Sequence, residues 1–122
     1  MPIVDIELVG ADDAPGMAMP AQRLADAIGQ ALRSPPGHTW VRLRTLDRTA
    51  YAENGAAVAA NEGPAFVTVL HAHPPTGPAL AAEVAALTRT IANCIGRSPD
   101  RVHVQYAAAA AGRQAFGGRL VE

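Results

Sequence analysis

The chain has 122 residues, the size of one small domain, and its 10 basic and 11 acidic residues leave a net charge of −1. Without a basic excess, nucleic acid is not an expected partner, and the single cysteine excludes a disulfide scaffold and a multi-cysteine zinc site. No run approaches 18 apolar residues, and Met1 to Asp5 lacks the character of a signal peptide, so no membrane partner and a cytoplasmic location are expected.

In chain order, Pro2 to Leu8 reads as a strand opened by a proline. A helix follows from about Pro20 to Arg33, with Leu24, Ala27, Ile28, Ala31 and Leu32 at helical spacing and Pro20 in the first turn. It stops at Arg33-Ser34-Pro35, because proline cannot continue a helix and restricts the residue before it. Thr39 to Thr45 alternates as a strand, and a small ribbon is expected around Tyr51. Pro64 to Leu70 is a second proline-opened strand. The next helix runs from about Gly77 to Gly96, with Leu80, Val84, Leu87, Ile91 and Ile95 on one face. It stops at Arg97-Ser98-Pro99, before a strand from Arg101 to Tyr106. Ala107 to Ala111 reads equally as a helical turn or a loop, and Phe116-Gly117-Gly118-Arg119 as the turn of a small ribbon.

These landmarks repeat at an offset of about 62 to 64 residues. The expected fold is therefore α+β: a duplicated β-α-β unit in one domain, 1–122, with halves at about 1–60 and 64–122. Right-handed crossovers place both helices on one face of a four-stranded sheet. Val4, Ile6, Leu8, Val41, Leu43, Val102 and Val104 should meet the helices. Ile3, Asp5, Glu7, Trp40, Arg42, Arg44, His103 and Gln105 should line the other face. The chain is 49% hydrophobic but only 4% aromatic, and 27 residues are alanine, which bury little area each. So thin a core favours an oligomer that covers the second face.

Several residues could carry chemistry. Removal of Met1 would leave Pro2 as a free secondary amine, a base for proton abstraction beside a carbonyl; retained Met1 would make it an inert amide. His71 and His73 would share a strand face, spaced for one metal ion with His103 as third ligand, for a substrate pocket, or for no role. The substrate pocket is the reading adopted, with no metal. Arg42 and Arg44 either pair with Asp5, Glu7 or a neighbouring subunit's acids, or anchor a carboxylate through a bidentate guanidinium. Trp40 and Phe116 suit a core or an interface as well as a pocket wall. Cys94 reads as a small buried hydrophobe. Asp47, Tyr51 and Glu53 follow the second strand, where an acid could activate water.

Pro2 at the start of a strand, the duplicated β-α-β unit and Ser98-Pro99-Asp100-Arg101-Val102 before the last main strand together resemble the tautomerase superfamily. That superfamily includes 4-oxalocrotonate tautomerase, macrophage migration inhibitory factor and malonate semialdehyde decarboxylase. The resemblance implies a homotrimer with sites between subunits and Pro2 as general base or acid, without a cofactor. His71 and His73 fall where the decarboxylase-like branch carries an Arg-x-Arg pair that binds substrate carboxylate. His103 falls at a site tyrosine of the inhibitory-factor branch, Phe116 at its aromatic wall, and His38 with Arg33 near its site lysine. The expected function is a tautomerase acting on a small 2-oxo or 2-hydroxy acid, with Pro2 catalytic and His38, Arg42, His71, His73, His103 and Phe116 binding the small-molecule carboxylate. The alternatives are a decarboxylase, hydratase or dehalogenase using the same proline, or a non-catalytic trimeric binding protein.

Overall fold

The computed structural model describes residues 2–10 and 20–122; Met1, on whose removal the proline chemistry depends, lies outside them. Two β-α-β units build the fold: β1 (Ile3–Val9), α1 (Pro20–Ala31) and β2 (Trp40–Leu46), then β3 (Ala65–Leu70), α2 (Gly77–Ile95) and β4 (Val102–Tyr106). The sheet order is β2-β1-β3-β4. β1 runs parallel to β2 and β3 parallel to β4, while β1 and β3 meet antiparallel at the centre. Each parallel pair is joined through its own helix, as a parallel connection requires.

The alternation expected from the sequence decides which face is covered. Val4, Ile6 and Leu8 of β1 and Ala65, Val67 and Val69 of β3 are buried, and Leu24, Ile28, Leu87 and Ile91 of the helices close over them. Full burial of each large aliphatic side chain contributes about 1.5–3 kcal/mol, so these four hold the helices to the sheet. Val41, Leu43 and Val104 complete the layer from the edge strands. No polar side chain among the described residues is fully buried in this core. The opposite face keeps Trp40, Arg42, Arg44, Phe66 and His103 exposed.

Both helices end slightly before the expected positions, at Ala31 and Ile95. The cause is a left-handed residue placed ahead of each proline. Arg33 has φ 54° and Gly96 has φ 68°, and the amide of Gly96 closes on the Ala92 carbonyl at 2.9 Å. Around Tyr51 the expected ribbon reduces to a short 3₁₀ turn, Arg48–Ala50, and one bridge between Glu53 and Ala56. Ala107–Ala111 is a loop rather than a helical turn. It stays close to β3 through bonds from Ala107, Ala110 and Ala111 to the carbonyls of Val69, His71 and Ala72. The ribbon near Phe116 is present as β5 (Ala115–Phe116) and β6 (Arg119–Leu120).

Among the described glycines, Gly63 has the closest backbone neighbour. A Cβ there would lie only 2.4 Å from the Val9 carbonyl oxygen, beside the Arg97 guanidinium that bonds both the Val9 and Gly63 carbonyls. Gly63→Ala should therefore cost about 1–3 kcal/mol through overpacking, read as a lower urea midpoint. Gly29→Ala, where the nearest atom is 3.7 Å away, should instead be neutral or slightly stabilising. Equal midpoints for the two variants would contradict this account.

Candidate active site at the proline end of the sheet

Register gathers the candidate residues at one end of the sheet. Ile3 pairs with Trp40 on one side and with Leu70 on the other. Pro2, Thr39 and His71 therefore stand one position past the last rung of their strands. Pro2 is buried, and its carbonyl accepts the Trp40 amide at 3.1 Å. By alternation with Val4, it turns to the helix side of the sheet.

On the opposite face, a cavity of about 320 Å³ opens between Ile3, Trp40, Arg42, Gln114 and Phe116. Phe116 reaches it because β5 and β6 join through only Gly117 and Gly118, with Phe116 paired to Arg119. Both glycines have positive φ, 57° and 86°, as a two-residue hairpin turn of this hand demands. The hairpin sets Phe116 edge-on to Trp40, with ring centroids 5.1 Å apart at 88°, the arrangement that aromatic quadrupoles favour. Trp40 is anchored by its indole N–H, which donates to the Gly37 carbonyl at 3.0 Å.

Arg42 forms a two-pronged pair with Asp5 on the neighbouring strand, Nε to Oδ1 at 2.5 Å and Nη2 to Oδ2 at 2.7 Å. The ion-pair alternative for this residue is the one realised. The hydrogen bond from Arg42 holds the Asp5 carboxyl below its usual range against an opposing effect of burial, with the charges of Arg42 and Arg44 adding to the lowering. The Nη1 donors of Arg42 remain outside this pair.

On the helix side lies a polar cluster. His71 Nε2 donates to Glu83 Oε2 at 2.9 Å, and the Tyr106 hydroxyl donates to the same oxygen. The imidazole stacks on the Tyr106 ring, with centroids 6.0 Å apart. Burial, and then the Glu83 carboxylate, push the Tyr106 hydroxyl far above its usual range. Glu83 and Tyr106 were not expected from the sequence, yet both had a signal. Glu83 lies three residues after Leu80 and four before Leu87, on the apolar stripe of α2. Tyr106 continues the Val102–Val104 alternation onto the covered face.

Two expectations change. His71 and His73 do not share a strand face, because β3 ends at Leu70 and the chain bends at Ala72 and His73 ahead of Pro74-Pro75. His71 turns to Glu83, while exposed His73 meets the backbone carbonyl of Glu122 at 3.0 Å. His103 packs against Phe66 with centroids 5.7 Å apart, at the opposite end of β3 from Leu70. Five residues separate Glu7, the partner of Phe66, from Pro2, or roughly 16 Å of strand. Among the described residues, no three histidine, cysteine or acidic side chains are grouped to hold a metal ion. His38 is exposed in the loop leading to Trp40, at the Pro2 end. Cys94 is half-buried at the edge of the core.

A larger cavity, about 520 Å³, lies at the far end beside Gly10, Asp47, Tyr51 and Glu53. Its acids are already engaged. Glu53 takes the Tyr51 hydroxyl at 2.6 Å and Arg101 Nη2 at 2.7 Å, and these bonds hold its carboxyl low. Asp47 accepts the Thr49 amide and hydroxyl, both at 2.8 Å, with the same effect. The smaller cavity is the better candidate because it lies at the proline end of the sheet, lined by Ile3, the residue that follows Pro2.

No protein-family model matches the chain, and no curated protein matches it in sequence. Solved structures do match in shape. Pt0534, inactivated by 2-oxo-3-pentynoate, is 22% identical with a TM-score of 0.74, covering 97% of this chain and 94% of its own. Macrophage migration inhibitory factor from Oncomelania hupensis is 16% identical with a TM-score of 0.73, covering 100% and 83%. FG41 malonate semialdehyde decarboxylase, inhibited by 3-bromopropiolate, is 18% identical with a TM-score of 0.67, covering 94% and 90%. The chain has the tautomerase fold.

The Asp5–Arg42 pair should be visible in the pH dependence of stability. Since the folded carboxyl is held below its ordinary value of 3.8, its contribution is full above about pH 4 and is lost as pH falls through the folded value. In Asp5→Asn the difference between urea midpoints at pH 7 and pH 3 should shrink. It should not vanish, since Asp47 and Glu53 are depressed as well. An unchanged difference would mean that the pair contributes nothing in solution.

Proposed function

We propose that the protein is a tautomerase-like isomerase that moves a proton beside the carbonyl of a small 2-oxo or 2-hydroxy acid, with Pro2 as the base. The observation that carries this reading is a buried proline at the head of a central strand, one residue ahead of Ile3 in the wall of a small cavity, in a chain of the tautomerase fold. As a free secondary amine, Pro2 would start from an α-amino pKa of about 7.7–8.0, and burial would lower it by disfavouring the cation. The neutral nitrogen takes a proton from an enol hydroxyl or an α-carbon. The electron pair released moves through the conjugated system, and the prolinium returns the proton at the other carbon. Charge developing on oxygen is offset by the Nη1 donors of Arg42, with His38 at the same end. Trp40 and Phe116 form the apolar wall. A volume of about 320 Å³ stands at the small end of the usual range for ligand sites, which suits a short-chain acid. No organic cofactor or metal enters this scheme.

The inactivation of Pt0534 by a 2-oxo compound supports this substrate class, and the malonate semialdehyde decarboxylase likeness favours decarboxylation as the second reading. A fused 4-OT of the same fold, 17% identical with a TM-score of 0.74, is a symmetric trimer. A homotrimer of this chain would cover the open sheet face, where Trp40 is 43% and Phe66 39% exposed, and would carry His103 towards a neighbouring subunit's proline.

Two experiments test the proposal. Intact mass should lack the initiating methionine, and a residue inserted before Pro2 should reduce enol ketonisation by at least about 10²-fold while leaving the assembly unchanged. Equal rates would make Pro2 merely the first residue of a strand; loss of CO₂ release instead would favour the decarboxylase. Sedimentation equilibrium at micromolar concentration should give a trimer, and a 12.6 kDa species would refute the shared site.

A further inference from the structure

Among the described residues the core on the covered side of the sheet is apolar, and a cluster of polar side chains borders it at the proline end. There the Glu83 side chain, only 17% exposed, takes hydrogen bonds from His71, itself 14% exposed, and from Tyr106. A carboxylate so sheltered is costly to keep charged unless its oxygens are bonded, and one oxygen receives both donors. Structural need alone does not explain why an acid stands on an otherwise apolar helix stripe. The register offers a reason: Pro2 and His71 lie one step beyond the Ile3–Leu70 pair and, by alternation, on the same side of the sheet.

We propose that Glu83 and Tyr106 are positioning residues that hold His71 as the hydrogen-bond partner of the Pro2 amine. This rests on Pro2 being the base. A carboxylate only accepts, so His71 must carry its proton on Nε2, which leaves the Nδ1 lone pair bare in the neutral ring. Prolinium has two N–H bonds. One is delivered to the substrate and the other can be held by Nδ1. Favouring the charged amine raises its pKa, and the Glu83 charge behind the ring acts in the same direction. The cluster is thus a counterweight to burial, which lowers that pKa, and keeps the base near neutrality where proton transfer in both directions is efficient.

The other groups around this end are few. α2 supplies Glu83 and β4 supplies Tyr106. α1 and β2 turn apolar residues to this side, chiefly Leu24, Ile28, Val41 and Leu43. Arg33 and His38 are exposed in the connecting segment. Asp5, Arg42 and Arg44 lie across the sheet, with Arg42 bound to Asp5.

The test is a nitrogen-15 NMR titration of the Pro2 amine in the assembled protein, with wild type, Glu83→Gln, His71→Gln and Tyr106→Phe. The Pro2 pKa should fall by about one unit in Glu83→Gln and by less in Tyr106→Phe, with the acidic limb of kcat/KM moving equally. The His71 nitrogen shifts should report the Nε2–H form in wild type. A Pro2 titration unmoved in folded Glu83→Gln or His71→Gln overturns this proposal while leaving Pro2 as base. Absence of any titrating proline amine overturns both. If Glu83→Gln does not assemble, Tyr106→Phe decides: an unmoved Pro2 titration there refutes the positioning role.

Discussion

The antiparallel junction between β1 and β3 is the contact on which everything else hangs. Each repeat closes its own parallel pair through a helix, but neither can bury both of its strands alone. Joining them back to back creates a four-stranded sheet with a continuous apolar face, and one pair of buried strands then serves both helices. The same junction brings the start of the first repeat to the end of the second. Pro2 belongs to one half, and His71, Glu83 and Tyr106 to the other, so the candidate site is a product of duplication rather than of either unit.

Much of this was legible in the residues. The period-2 pattern in Val4-Ile6-Leu8 and Val102-Val104, the helical stripes and the Arg-Ser-Pro stops named the elements and the covered face, because those signals are local. What was not legible depended on where strands stop. His71 and His73 look like strand neighbours when read as alternating positions, but the ladder ends before them and two prolines turn the chain away. Glu83 is hard to single out because one acid in an alanine-rich helix reads as a solvent residue until its angular position is counted. Arg42 was legible as an ambiguity, and only cross-strand register chose Asp5 as its partner.

Charge pairing inside the chain shapes what the site can offer. Arg42 is held by Asp5 and the His71 ring by Glu83, so the charge of the one is compensated and the Nε2 position of the other is already engaged. If the proposed carboxylate substrate binds here, donor geometry would orient it more than net attraction.

The Ala115–Leu120 hairpin has a further consequence. It pairs only with itself in the sheet topology, with Gly112 and Gln114 linked to Val121 by backbone bonds, and it presents its aromatic residue to Trp40 without contributing to the main core. Changes to its tip leave the burial that stabilises the fold untouched. The cavity wall is therefore structurally separable: the six residues of this hairpin can be altered at the margin of the fold while the apolar layer under the paired repeats keeps its packing.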